Sequence, residues 1–147
     1  MTMFRSDATV VVVVGSGPSA GTKDRPLAER LQGEIDRRGG GVPHRRAVVV
    51  DDAWFLDHPQ LHGHPTIAIG GPGANGVTGS LVPRLPILWH QGEEAFVQAD
   101  LDGSPKRAAL WGLDAPSTAT ALSRFVEGGA LDEMLSRVWV GQGEWQA

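Results

Sequence analysis

No cysteine occurs in the 147 residues, which excludes disulfides, thiolate metal sites and cysteine nucleophiles. A basic excess is missing too: the net charge is −4, whereas a general nucleic-acid binder carries the opposite sign. Long apolar runs are also lacking. Val10–Val14 is far too short to cross a bilayer, and the first residues have no basic segment followed by an apolar stretch of the secretory kind. A cytoplasmic protein is therefore expected, with no nucleic-acid partner and no membrane partner. Without an internal repeat or a low-complexity linker, a single domain over residues 1–147 is expected.

What is present fits an ordinary globular core, with 41% hydrophobic and 20% charged residues. Three strand-like runs each break into a glycine-rich or proline-capped loop. Val10–Val14 leads into Gly15–Gly21, Thr66–Ile69 into Gly70–Gly76, and Ala108–Trp111 into Gly112–Ser117. After the first loop, Asp24 and Pro26 suit a helix start, Leu27, Leu31 and Ile35 form its apolar stripe, and Gly39–Gly41 ends it. The non-helical reading of Thr22-Lys23-Asp24 puts that start near residue 24. Ala47–Val50 reads as a second buried strand, and Ala53–Pro65 as an irregular connection. A short helix is expected over Ala74–Leu81. Ile87–His90, Glu94–Leu101 and Lys106–Trp111 read as a meander. Two apolar stripes follow, Ala119/Leu122/Phe125/Val126 and Leu131/Met134/Leu135/Val138. The sum is a three-layer, Rossmann-like α/β fold with a mixed sheet: a βαβ start, a β-meander and C-terminal helices.

In a parallel sheet such loops gather at the carboxyl ends of the strands, where ligands bind. Their exposed N–H groups suit anions. The candidate ligand-binding set is Gly15, Ser16, Gly17, Ser19, Gly71, Gly73, Asn75, Asp114 and Ser117, with an anionic small molecule as the expected ligand. No cofactor and no metal is assigned.

Gly15-Ser16-Gly17-Pro18-Ser19-Ala20 matches the dinucleotide fingerprint, but a helix starting near residue 24 is late for it. The following acid is also misplaced: Asp51 comes late and Asp36 falls inside the helix. Gly17–Gly21 matches the nucleophile-elbow pattern as well, with Ser19, His90 and Asp51 or Asp114 as a serine-hydrolase set. His58, His62 and His64 lie near Asp51, Asp52 and Asp57 with ligand-like spacing. Pro59, Gly63 and Pro65 exclude a helix across them, so an exposed polar loop is expected. Arg37, Arg38, Arg45 and Arg46 are expected to solvate a helix end. Trp54, Trp89 and Trp111 are expected in the core.

Ile67-Ala68-Ile69-Gly70-Gly71-Pro72-Gly73-Ala74-Asn75, followed in order by Gly112-Leu113-Asp114 and Ser117-Thr118-Ala119-Thr120, resembles the C-terminal α/β domain of archaeal S-layer surface proteins. The resemblance implies an α/β fold and an assembly role, and brings no catalytic residues. The expected function is thus a non-catalytic binding or assembly module with its ligand crevice at the glycine loops. One alternative is a small enzyme acting on a phosphate- or nucleotide-bearing substrate through Ser16, Ser19, Asn75 and Asp114, and another is a hydrolase using Ser19. A homodimer is expected, because the meander leaves a strand at the sheet edge.

Overall fold

The computed structural model describes residues 8–139. The leaderless reading of residues 1–7 lies outside these residues. One mixed six-stranded sheet runs in the order β2-β1-β3-β6-β5-β4. Its strands are β1 (Val10–Val14), β2 (Ala47–Asp51), β3 (Thr66–Ile69), β4 (Ile87–Gln91), β5 (Ala95–Asp100) and β6 (Arg107–Gly112). β1 pairs in parallel with β2 and β3, and β3 with β6. β5 pairs antiparallel with both β6 and β4. The three-layer α/β expectation holds.

Strand alternation explains the unbroken valine run. Val10, Val12 and Val14 face α2 (Arg25–Gly39), α5 (Ala115–Glu127) and α6 (Ala130–Val138), meeting Leu31, Ile35, Phe125 and Met134. Val11 and Val13 face the opposite layer, where α3 (Asp52–Asp57) and α4 (Gly76–Leu81) bring Phe55, Val77 and Leu81. With both faces covered, every position must be apolar. Burying each such side chain stabilises the fold by about 1.5–3 kcal/mol before chain entropy is counted.

Three local expectations change. The helix begins at Pro18: α1 (Pro18–Lys23) precedes α2, with Asp24 as the joint. Thr22 and Lys23 are helical, because Pro18 suits a first turn and Ala20 packs on Gly15. The connection after β2 is ordered as α3 and a 3-10 turn at Pro59–Leu61. Asp51 caps α3 by accepting the Trp54 N–H at 2.7 Å, and buried Phe55 anchors it. Trp54 is 45% exposed rather than in the core, stacked on His58.

Candidate functional site

The connection after β1 leaves towards the α2 layer and the one after β3 towards the α4 layer. Such a divergence opens a crevice outside the carboxyl ends of the two strands. Here the chain fills it. Buried Asn75 donates to the carbonyl oxygens of Val13 and Ile69, both at 3.0 Å. Its own Oδ1 accepts from the N–H groups of Val77 and Thr78 at the start of α4. Both amide N–H bonds and both oxygen lone pairs are thereby used. The carbonyl of Ala74 lies so close to Gly15 that any Cβ there would overlap it.

The Gly15–Gly17 turn has an internal anion already. Asp52, following β2, accepts the Gly76 N–H at 2.7 Å and bonds to the Ser16 hydroxyl and backbone. Burial alone would raise its pKa, but donation from Gly76, Ser16 and Ala53 outweighs this and holds it low. A carboxylate therefore occupies the position where a phosphate would meet a glycine loop.

The open space is displaced towards β3 and β6. A crevice of about 410 Å³ lies between α1, the loop after β3 and the β6–α5 turn. Ser19, Lys23 and Asp24 form one wall, Gly71–Ala74 the second, and Trp111–Ala115 with Thr118 the third. The three glycine loops thus converge on one end of the sheet.

Asp24 distinguishes this crevice. It is 7% exposed, and its side chain does not cap α2. Among the described residues no donor or ion-pair partner meets its carboxylate, which keeps access to the crevice. It packs against Gly70, where a Cβ would stand 2.6 Å from Oδ2; with φ at +110°, Gly70 suits only glycine. Burial raises the Asp24 pKa, and the neighbouring Lys23 charge opposes that shift. Across the crevice, Asp114 caps α5 by accepting the Ser117 N–H at 2.8 Å. Its pKa is lowered by the backbone and side chain of Ser117 and by the Lys23 charge.

Of the residues expected to bind, Ser19, Gly71, Gly73 and Asp114 line the crevice. Gly15 is buried beneath the Ala74 carbonyl, Ser16 and Gly17 are exposed but outside the crevice lining, Asn75 is saturated, and Ser117 is tied up in the α5 cap. Lys23, Asp24 and Trp111 were missed. The Asp24-Arg25-Pro26 pattern signals a helix start, and nothing local shows that the carboxylate turns inward.

The other motifs disperse. His58 bonds to the Trp54 carbonyl, His62 to that of Phe55 and His64 to that of Thr9. His64 is buried rather than in an exposed loop. No group of three His, Asp or Glu among the described residues could hold a metal ion. His90 lies on β4, four places from β1 in the sheet, or about 19 Å away laterally at the usual strand spacing. Arg37 and Arg38 pair with Glu34, and Arg45 stacks on Trp139. No described helix is long and apolar enough to cross a membrane. No family model matches the chain, and no curated protein is significantly similar to it.

Proposed function

We propose that the chain is a non-catalytic ligand-binding domain that takes a small polar molecule in the crevice between α1, the β3 loop and the β6–α5 turn. The observation that carries this reading is Asp24. Its carboxylate meets no donor among the described residues while most of the side chain is buried, so it is poorly solvated at the crevice wall, and a donor brought by a ligand would offset that desolvation. Asp24 and Asp114 outweigh Lys23 in charge, which favours a ligand bearing an ammonium or hydroxyl over a simple anion. An acceptor on the same ligand would meet Lys23.

Two-dimensional NMR against amino acids, amines, polyols and nucleotides tests it. Saturable shifts confined to residues 19–24, 71–74 and 111–118, caused by donor-bearing compounds, are expected. Shifts from nucleotides or sugar phosphates alone would favour the enzyme reading instead.

Assembly is the second reading, supported by the resemblance to surface-layer domains and by one further observation. β4 ends the sheet, and it exposes Ile87 at 53% and Leu88 at 50%. An unpaired edge with exposed apolar side chains suits pairing with a second copy.

A further inference from the structure

A second concavity, of about 470 Å³, opens near the amino end of β6 on the α3–α4 face. Strand alternation puts Arg107 on the same face as Ala109, and Ala109 belongs to the α3–α4 core. Arg107 donates from Nη2 to the carbonyl of His62 at 2.8 Å, which fixes the guanidinium at the cavity wall. Arg84, from the turn after α4, lines the same cavity. Phe55, Val77, Leu81 and Leu85 supply apolar lining, and the His62 ring stacks on Phe55 with centroids 4.5 Å apart.

Neither arginine has a carboxylate partner among the described residues. Elsewhere Arg30, Arg37, Arg38 and Arg137 all do. Asp100 is the one acid in the lining, and its Oδ1 accepts the N–H groups of Asp102 and Gly103 at 3.0 and 2.8 Å. Burial, and then the Arg84 charge, push the Arg107 pKa down. Two guanidinium groups therefore share one cavity, with the Asp100 carboxylate in the same lining engaged by the backbone of residues 102 and 103. Guanidinium forks match the oxygens of phosphate and carboxylate groups.

We propose that this cavity is a separate ligand site for a small organic anion, with its phosphate or carboxylate between Arg84 and Arg107 and its apolar part against Phe55 and Leu81. The site is independent of the crevice containing Asp24. Phenyl phosphate, benzoate and inorganic phosphate, titrated into the full chain at constant ionic strength by calorimetry and NMR, provide the test. At least one aryl anion should bind saturably and more tightly than inorganic phosphate. It should shift residues 62, 80–85 and 103–107 while leaving residues 19–24 unmoved. Which aryl anion binds tighter separates phosphate from carboxylate ligands.

Arg84→Gln is the decisive variant, because Arg84 is exposed and its loss relieves repulsion. Affinity should fall about tenfold or more, the worth of a charged hydrogen bond, with melting temperature unchanged or raised. Arg30→Gln, outside both cavities, should bind as the wild type does. The proposal is overturned if no aryl anion saturates, if Arg84→Gln binds normally, or if shifts scatter over the surface.

Discussion

The side-chain amide of Asn75 donates to the carbonyl oxygen of Val13 at 3.0 Å, tying the loop after β3 to the end of β1. Its second N–H takes the Ile69 carbonyl, so one side chain spans the fork between two parallel strands. The position where an α/β sheet usually admits a ligand is thereby closed, and the open crevice lies one strand over, between β3 and β6.

Asn75→Ala would orphan two buried carbonyls and two buried N–H groups. A loss of about 3 kcal/mol or more is expected in urea unfolding. Asn75→Ser, which can keep the cap without the two amide donors, should lose less. A change below about 1 kcal/mol for the alanine variant would remove Asn75 as the tie between β1 and β3.

Gly15 and Gly17 share one motif but have different surroundings. Gly15→Ala collides with Ala74 and Ala20, and should cost about 1–3 kcal/mol as overpacking. Gly17 has open space around its Cβ position and an extended φ of −72°. Gly17→Ala should be neutral or slightly stabilising. Equal losses at the two positions would contradict this packing.

The Asp24 pKa in the folded chain lies above its ordinary 3.8, so the native state holds the proton more tightly than the unfolded chain. Its favourable contribution is present at pH below the unfolded value and is lost as pH rises through the folded one. Asp52 and Asp114 run the other way, because their lowered pKa values favour folding above the unfolded value. Asp24→Asn should therefore melt higher than the wild type at pH 7, with the gap closing below about pH 4. Melting curves that stay parallel across this range would show that Asp24 carries no ionisation strain.

If β4 pairs with a second copy, sedimentation at tens of micromolar should give a dimer, and Leu88→Lys should give a monomer. A wild-type species at the chain mass of 15.6 kDa would show that this edge stays unpaired.

The layered fold was legible because Val10–Val14, Thr66–Ile69 and the helical stripes declare their burial locally. The convergence of the loops follows from the parallel order of the strands that feed them. α1 was not legible: Ser19, Gly21 and Thr22 are poor helix formers, and the turn forms through Pro18 and the packing of Ala20 on Gly15. α3 was hidden because its cap and anchor, Asp51 and Phe55, sit among histidines and prolines that suggest a loop. Asn75 sits in the glycine loop after β3, where the sequence points to a ligand contact, yet its amide is consumed by strands that only the tertiary fold brings together. Asp24 shows the reverse, since a residue that looks like a helix cap faces Gly70 across the fold.

On the proposed reading, Asp24 is the residue that meets the ligand in the crevice. A thermal-shift screen of amino acids, amines, polyols and nucleotides, run in parallel on the wild type and Asp24→Asn, tests it most directly. At least one donor-bearing compound should raise the wild-type melting temperature saturably and leave that of Asp24→Asn unmoved. Equal shifts in the two proteins, or none in either, would contradict it.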